Sequence, residues 1–543
     1  MLRSMLFAVT LILFVAPVSF ASDIYFAPTA QGSNNGSNCA SAYAYNDNGH
    51  GWSLSAQQAP GNILHICAGT YNAAAGSTIF STASAGASGS PITLVADQGA
   101  ATLQAPYFST GGALSISRDF WVINGNNNLT IQNTLNGTPG ATCPGGPCSY
   151  QQQSVGVSIG GNNVTVENMK LRNYVHKSGD SCCTPTLFGI MGLGLSNIAI
   201  SGNTINGNRV AINLWGSNIT INNNTLTDNS AAWWFGSGSA TSGVAFHDNY
   251  MANVGNWNAG GFHLEYVHLF TFSGAINGLQ LYNNYFGNPN CGPAPNCSGT
   301  AKFYHEGSSS GESLFNNIFW TDDGFSYLPA IEFETQTGGG GFSHVNPRIL
   351  NNTINGGNQV ASGNTGFFFD TGVSGLIWQN NVVLGGETLV SFPSDAFASG
   401  GADYNAYENT YLDLGTGPFA APCPMSGNPG GCTTLSAWQS DMYAGSGKDI
   451  NSTFNTLSNL NINTQTGVLG AGSPIIGKGT NLTNLGIAAL GTGAPQSFGA
   501  GGGCGAGCQP RPATGSWDPG AYPHGSSSSA GPNPPTMLTA TTH

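Results

Sequence analysis

A six-residue pattern of apolar and polar positions recurs along the chain. Each copy has an apolar residue, any residue, Asn, Asp or Gly, then Asn, any residue and a second apolar residue. The clear copies are ISGNTI at 200, INNNTL at 221, FHDNYM at 246, LYNNYF at 281, LFNNIF at 314, ILNNTI at 349 and WQNNVV at 378, and VENMKL at 166 is a weaker one. Successive clear copies start 21 to 35 residues apart. A repeat of this length is typical of solenoid proteins.

Short runs of alternating apolar residues flank each Asn-rich bend, and no stretch shows the 3.6-residue period of a surface helix. Asparagine suits such a bend because it tolerates left-handed backbone conformation, and its amide can bond to the amide of the next coil. We therefore predict stacked coils of β-strands. The extra residues between copies are expected in loops on one flank.

The two ends of the repeat region carry further motifs. DIYFAPTAQGSNNGS, GNILHICAGTY and GSPITLVA resemble the N-terminal cap of secreted bacterial β-helix proteins, and AGSPIIGKGTNL with WDPGAYPH resembles their closing segment. Over roughly residues 23 to 522 the chain resembles the pectate-lyase-like family. The resemblance implies an all-β, right-handed, single-stranded parallel β-helix with an N-terminal cap and loop insertions on one flank. It implies no particular chemistry, because lyases, hydrolases and non-catalytic proteins share this fold.

Four segments are predicted. Residues 1–21 have Arg3, an apolar run from Leu6 to Phe14 and a small-residue cleavage pattern at Ser19-Phe20-Ala21, which together indicate a signal peptide. Residues 22–110 form the cap and first coils, 111–522 the β-helix with its closing segment, and 523–543 a Ser/Gly/Pro-rich tail. No segment approaches the roughly 20 apolar residues of a membrane span. We predict a secreted protein, extracellular or periplasmic.

The chain has 12 cysteines, which in an exported protein favours disulfides. The expected pairs are Cys39 with Cys67, Cys143 with Cys148, Cys182 with Cys183, Cys291 with Cys297, Cys423 with Cys432 and Cys504 with Cys508. Loops such as CPGGPC lack the histidines and thiolate spacing of zinc sites.

The net charge of the chain limits the classes of partner that it is expected to bind. The formal net charge is −13, with only 6% charged residues, so nucleic acid is not an expected partner. An acidic polysaccharide would be repelled over most of the surface unless cations or a local basic patch intervene.

Charged residues are nevertheless concentrated in one stretch, KFYHEG at 302–307. Aligned on the Asn bends, the strands before four successive bends read FHLE at 262, FYHE at 303, IEFE at 331 and FFFD at 367. Side chains alternate in a strand, so the first and third residues of each quartet would fill the core and the others point outward, with His305 as a polar exception inside. The predicted core residues are Phe262, Leu264, Phe303, Ile331, Phe333, Phe367 and Phe369. The predicted outward residues are His263, Glu265, Tyr304, Glu306, Glu332, Glu334, Phe368 and Asp370, with Lys302, Arg209 and Asn213 beside them.

Carboxylates stacked in this way repel. At the roughly 4.8 Å between coils, Coulomb's law gives about 1 to 3 kcal/mol per adjacent pair. Some acids are therefore protonated, or Lys302 and Arg209 compensate them, or a cation lies among them. The alternative is an alignment error of one residue, which would turn every acid away and leave scattered solvated charges.

The main functional hypothesis is hydrolysis of an extracellular polysaccharide by paired carboxylates. The candidate catalytic residues are Glu265, Glu306, Glu334, Asp370, Lys302 and His263. The candidate substrate-binding residues are Tyr304, Glu332, Arg209, Phe368, Trp234 and Trp257, the tryptophans because their flat faces suit sugar rings. The motifs of β-helical polygalacturonases are out of order here: Gly49-His50-Gly51 lies in the cap, and Arg348 has no lysine two residues later.

Two alternatives remain open. In a calcium-dependent lyase, Asn213, Glu265, Glu306 and Glu334 would bind Ca²⁺, as the resemblance to β-helical lyases implies, with Lys302 as base and Arg209 as substrate clamp. No lyase-specific motif is visible. The other alternative is a non-catalytic, glycan-binding or adhesive surface solenoid.

Overall fold

The computed structural model describes residues 21–134, 153–174, 187–236, 238–254, 265–287, 301–320, 330–335, 341–355 and 372–384, with shorter stretches between 365 and 525. The predicted signal peptide lies outside these residues except for its last position. In the described part of the chain, no helix is both long enough and apolar enough to cross a membrane.

Nearly all described secondary structure is β-strand. The first strands are β1 (Asp23–Ala27), β2 (Tyr43–Ala44), β3 (Ile63–Asn72), β4 (Phe80–Ser81), β5 (Ile92–Ala105), β6 (Leu114–Ile116), β7 (Trp121–Asn124), β8 (Leu129–Asn133), β9 (Ser154–Ile159), β10 (Val164–Glu167), β11 (Lys170–Tyr174), β12 (Leu187–Ser201) and β13 (Thr204–Asn208). The central strands are β14 (Val210–Asn222), β15 (Thr225–Thr227), β16 (Ala231–Gly236), β17 (Thr241–Ser242), β18 (Val244–His247), β19 (Tyr250–Ala252), β20 (Glu265–Asn277), β21 (Gln280–Tyr282), β22 (Tyr285–Phe286), β23 (Phe303–Ser310), β24 (Ser313–Phe315), β25 (Ile318–Trp320), β26 (Ile331–Glu334) and β27 (His344–Val345).

The remaining strands are β28 (Arg348–Leu350), β29 (Thr353–Asn355), β30 (Thr365–Phe369), β31 (Val373–Ser374), β32 (Leu376–Gln379), β33 (Val382–Leu384), β34 (Leu389–Ser391), β35 (Phe397–Asp403), β36 (Ala406–Glu408), β37 (Tyr411–Asp413), β38 (Pro424–Met425), β39 (Asn428–Pro429), β40 (Gly431–Cys432) and β41 (Thr453–Asn455). The described helices are short: an α-helix, Leu457–Leu460, and 3₁₀ turns at Cys39–Ser41, Ser55–Gln57 and Thr483–Leu485.

Each strand pairs in parallel with the equivalent strand of the next coil. One series runs β14, β16, β20, β23, β26 and β30, and a second runs β18, β21, β24, β28 and β32. The antiparallel strand pairs among the described residues are β37 with β40 and β38 with β39, near the C-terminal end. The predicted all-β parallel β-helix is confirmed.

The interior is a continuous apolar stack. Every second residue of most strands is buried, so that Trp121, Trp233 and Trp378 are almost completely enclosed. Aromatic rings pack on those of neighbouring coils, as for Phe286 and Phe319, whose ring centroids are 4.4 Å apart. Of the predicted core residues, Phe303, Ile331, Phe333 and Phe369 lie in this stack. Phe262 and Leu264 lie outside the described residues.

The Asn-rich bend divides its two roles between adjacent residues. The third residue of the motif has left-handed backbone conformation, with φ between 51° and 57° at Asn223, Asp248, Asn283, Asn316, Asn351 and Asn380. The fourth residue is a buried asparagine whose Oδ1 accepts the backbone N–H of the corresponding asparagine one coil earlier, at 2.9–3.1 Å. This ladder runs through Asn203, Asn224, Asn249, Asn284, Asn317, Asn352, Asn381 and Asn405. A buried side chain therefore holds each coil in register with the next.

The N-terminal cap contains the predicted disulfide between Cys39 and Cys67, whose Cα atoms are 5.7 Å apart. It joins the segment after β1 to β3, which pairs directly with β1. Each of the other predicted cysteine pairs includes a residue outside the described part of the chain, and those pairings stay predictions. So do the predicted domain boundaries.

The closing segment folds back along the coils. Trp517 packs with Phe315 and Leu350, and Tyr522 packs with Tyr250 and Tyr285. The Arg511 guanidinium donates to the Gly520 carbonyl at 2.7 Å.

We predict that Asn317→Ala destabilises the protein strongly. The Asn317 side chain accepts from the Asn284 N–H and donates from Nδ2 to the Leu281 carbonyl, both at 3.0 Å, so truncation leaves buried backbone groups unpaired. The expected loss in unfolding free energy is about 3 kcal/mol, measured by denaturant titration. Asn222→Ala, at a partly exposed strand position, is the control and should change stability by less than about 0.5 kcal/mol. Equal effects of the two substitutions would contradict a structural ladder.

Candidate active site

The outward acids of two neighbouring coils stand in register. Tyr304 lies opposite Glu332 and Glu306 opposite Glu334, across β23 and β26. Glu332 in turn lies opposite Phe368 of β30. The predicted alignment of these three strands is therefore correct.

The predicted alignment of the fourth strand is wrong. The segment opposite Phe303–Glu306 is Val267–Phe270 and not Phe262–Glu265. Glu265 lies opposite Ala231 of the preceding coil, two residues before the aligned segment. The stretch FHLEYVHLF contains two copies of the same apolar–His–Leu pattern, five residues apart, and each copy taken alone satisfies strand alternation. His268 thus occupies the position opposite Tyr304 that the predicted alignment gives to His263. His263 itself is outside the described residues.

His268 connects two of the acids. Its Nδ1 is 3.5 Å from Oε2 of Glu265, and its Nε2 is 3.2 Å from Oε2 of Glu306. Burial disfavours the charged imidazolium, but the two carboxylates together outweigh burial and raise the pKa of His268. A protonated His268 therefore directs one N–H toward each acid, Nδ1 toward Glu265 and Nε2 toward Glu306.

Tyr304 connects Glu306 to a further acid, Glu334. Its hydroxyl is 2.6 Å from Oε1 of Glu306 and also contacts Oε2 of Glu334. Burial and the two carboxylates raise the pKa of Tyr304 far above its usual range, so the phenol keeps its proton. A phenol has a single proton to donate, so the second carboxylate contact is favourable when one of the two acids is itself protonated.

Glu332 is the fourth acid of this group. Burial first, and then the charges of Glu334, Glu265 and Glu306, raise the pKa of Glu332 to about 8. At neutral pH the carboxyl group therefore holds its proton. We call Glu265, His268, Tyr304, Glu306, Glu332 and Glu334 the outer cluster. Its members Glu265, His268, Tyr304 and Glu306 are 0–8% exposed, whereas Glu332 and Glu334 are half-buried.

Aromatic side chains border the outer cluster. Trp234 lies opposite His268 in register and edge-on to Phe270, with ring centroids 5.8 Å apart. The Arg209 guanidinium lies over the Trp234 ring, 4.9 Å from its centroid. Asn213 lies opposite Trp234 on the other side, one coil earlier. Trp257 and Asp370 lie outside the described residues.

Lys302 does not lie with the outer acids as expected. Its side chain is 1% exposed, and its ammonium group donates to the backbone carbonyls of Gly287 at 3.1 Å and of Trp320. Lys302 precedes β23 at a corner of the coil, where strand alternation does not apply. Burial lowers the pKa of Lys302 well below its usual value. The amine is engaged by backbone groups inside the fold, which argues against its predicted role as a base.

The calcium site expected at Asn213, Glu265, Glu306 and Glu334 stays a prediction. Among the described residues, the group that brings three ligand atoms within 4.8 Å of one another is His305, Glu312 and His344, not the acids of the outer cluster. Glu306 bonds to His268 and Tyr304 instead. We therefore derive no chemical step through calcium.

Comparisons with known proteins give structural likeness only. No protein-family model and no curated protein matches the chain. Among solved structures it is similar to the pectate lyase Pel9A, with 16% identity, a TM-score of 0.40 and coverage of 93% of this chain and 97% of that one. It is also similar to the A-module of the Azotobacter vinelandii mannuronan C-5 epimerase AlgE6, with 13% identity, a TM-score of 0.41 and coverage of 65% and 91%. A third is the family 6 alginate lyase AlyGC, with 12% identity, a TM-score of 0.36 and coverage of 65% and 45%.

We predict that Glu332 makes stability pH-dependent. Its pKa is about 8 in the fold and near 4.5 when unfolded, so its neutral form favours folding at low pH and this contribution is lost as the pH rises through about 8. Relative to Glu332→Gln, the wild type should therefore lose on the order of 2 kcal/mol between about pH 5 and pH 9.

The measurement is the unfolding midpoint of both proteins over this pH range. Glu167→Gln, which removes a carboxylate several coils earlier, is the matched control. Parallel pH profiles of the wild type and Glu332→Gln would show that Glu332 ionises as an exposed acid does.

Proposed function

We propose that the protein is an enzyme that cleaves glycosidic bonds in an extracellular polysaccharide, with the outer cluster as its acid–base site. The observation that carries this proposal is the close contact of neighbouring carboxyl groups with two proton donors, Tyr304 and His268. Glu332 has a pKa of about 8, while Glu306 and Glu334 share the Tyr304 hydroxyl beside it. Environments that raise the pKa of one carboxyl group above that of its neighbour are typical of acid–base catalysis.

A polysaccharide fits the shape and chemistry of this surface. Glu332 and Glu334 are the partly exposed members of the outer cluster, so an extended chain would reach the cluster along β26. Next to Glu306, the strand β20 presents Phe270 and then Phe272, which is 41% exposed and packs against Phe342 at 5.3 Å. Exposed aromatic faces of this kind suit stacking on sugar rings. The Cys39–Cys67 disulfide supports export to an oxidising compartment.

Hydrolysis is the reaction that the outer cluster supports best. Protonated Glu332 would donate its proton to the glycosidic oxygen as the bond to the anomeric carbon breaks. Glu306 or Glu334 would take a proton from the attacking water, or attack the anomeric carbon directly. Tyr304 and His268 would hold these carboxylates in place and adjust their charge.

Elimination from a uronic-acid polymer is a second candidate. It is favoured by the contact between two proton-carrying side chains, His268 and Tyr304, whose ring centroids are 4.6 Å apart at the centre of the cluster. A carboxylate of the cluster would remove the proton next to a uronate carboxyl, and His268 or Tyr304 would protonate the leaving oxygen. Lys302, the expected base, is held elsewhere. A non-catalytic glycan-binding surface is the third hypothesis, and the same experiment distinguishes all three.

We predict that the purified protein depolymerises at least one polysaccharide in a panel of neutral and uronic-acid polymers. Reducing ends and the absorbance of unsaturated products are recorded together, with calcium or with a chelator. Reducing ends without the absorbance indicate hydrolysis, and the two together indicate elimination. Glycan binding without either product would overturn the enzymatic proposal.

On the substrate so found, Glu306→Gln and Glu332→Gln should each lower kcat at least about 100-fold, because each removes a proton acceptor or donor. Glu167→Gln should retain wild-type activity. The wild-type rate should also fall as the pH rises through about 8, where Glu332 loses its proton. Full activity of both variants would place the reaction elsewhere on the molecule.

Lys302→Met separates a structural lysine from a catalytic one. We expect a loss of about 1–3 kcal/mol in stability, because buried carbonyls lose their donor, with turnover largely retained by the folded protein. Lys170→Met, on an exposed strand position, is the control. Complete loss of turnover in a folded Lys302→Met protein would support the predicted role of Lys302 as the catalytic base.

A further inference from the structure

A second group of ionisable side chains lies inside the β-helix. His305 of β23, Glu312 at the turn before β24 and His344 of β27 are all 0% exposed. One ligand atom from each lies within 4.8 Å of the others. Three such groups are costly in an apolar interior unless each charge and lone pair has a partner.

His305 has a defined orientation. Its Nε2 is 2.8 Å from Oγ1 of Thr271. That hydroxyl accepts the Ser308 N–H at 2.7 Å and donates to the Ser308 carbonyl at 2.8 Å, so Nε2 of His305 must be the donor in this contact. The other ring nitrogen, Nδ1, then faces Oε2 of Glu312 at 2.9 Å. A neutral His305 would present a lone pair to a carboxylate, which requires a proton or a cation between them.

Glu312 has unused ligand capacity, and His344 would exchange one of its two present contacts for an ion. Oε1 of Glu312 is buried and has no hydrogen-bond partner among the described residues. His344 receives a contact from the Ser309 hydroxyl at Nδ1, at 2.8 Å, and its Nε2 lies 3.4 Å from the Glu334 carbonyl. Imidazole nitrogens and carboxylate oxygens are metal ligands.

We propose that His305, Glu312 and His344 bind a divalent transition-metal ion of the Zn²⁺ class inside the β-helix. Two imidazole nitrogens and one carboxylate suit Zn²⁺, whereas Ca²⁺ and Mg²⁺ prefer oxygen ligands alone. Ligand atoms at about 2.0–2.2 Å from a tetrahedral ion lie about 3.4 Å apart, so the 2.9 Å between His305 and Glu312 needs only a small opening. Thr271 and Ser309 orient the two rings from outside, as partners of metal-bound histidines do.

A bound ion would stabilise β23, the strand that also carries Tyr304 and Glu306 of the outer cluster. Tyr304 and Glu306 flank His305 in β23 and point to the opposite face. Metal binding would therefore anchor this strand from inside. The proposed metal site stands independently of the proposed reaction, because it rests on different side chains.

The test uses the full-length protein, purified without a metal-affinity tag. We expect about one equivalent of zinc per chain by elemental mass spectrometry, a fall in Tm after chelation and recovery when Zn²⁺ is added. Added Co²⁺ should give the visible absorption of a site with nitrogen ligands. A chelated protein that binds neither Zn²⁺ nor Co²⁺ by calorimetry, with unchanged Tm, would overturn the proposal and leave an ion pair between His305 and Glu312.

Variants locate the metal. Glu312→Gln keeps the shape of the side chain and should lower zinc content and affinity at least tenfold, and His344→Asn should do the same. His247→Asn, at a partly exposed histidine on the Asn-bend side, is the matched control and should bind as the wild type does. Undiminished binding by a folded Glu312→Gln protein would show that the metal sits elsewhere and would equally overturn the proposal.

Discussion

Register between successive coils is the constraint on which the rest of this structure depends. Each buried asparagine of the ladder bonds to the backbone of the coil before it, and Asn284 and Asn317 do so at 3.0 Å. A coil that slipped by one residue would leave these amides unpaired inside the protein, which costs more than the bonds themselves contribute. The ladder therefore holds the outward columns in alignment, and residues far apart in the chain become neighbours at the spacing of β-strands.

This alignment explains why one strand serves two chemically different environments. In β23, Tyr304 and Glu306 point outward into the acidic cluster, while His305 between them points inward to Glu312 and His344. Burial and the charges of the neighbouring acids raise the pKa of Glu332 in this cluster. The inner group has no access to water, so its charges must be balanced by its own members, by hydroxyl groups or by an ion.

Much of the site could be predicted from the sequence, and the failures have physical causes. The alignment of FYHE with IEFE is correct because Phe303 and Ile331 fill equivalent apolar positions in the core of successive coils. The alignment of FHLE is wrong because a nearly identical pattern follows five residues later, and both satisfy strand alternation. Lys302 is predicted to lie with the acids, but it precedes β23 and its ammonium group donates to backbone carbonyls. No sequence pattern reveals these contacts. The alternation does place His305 inside, yet it does not reveal His344 as its partner.

The sequence by itself determined the architecture, because the Asn bend, the alternation of strand residues and the length of the repeat are local properties that recur along the chain. Only the tertiary structure decided which acids meet, which of them keep a proton and which histidines face each other. Those properties depend on register across loops of unequal length and on the burial of each group. A change of one residue in register would alter every such contact while leaving the repeat pattern unchanged.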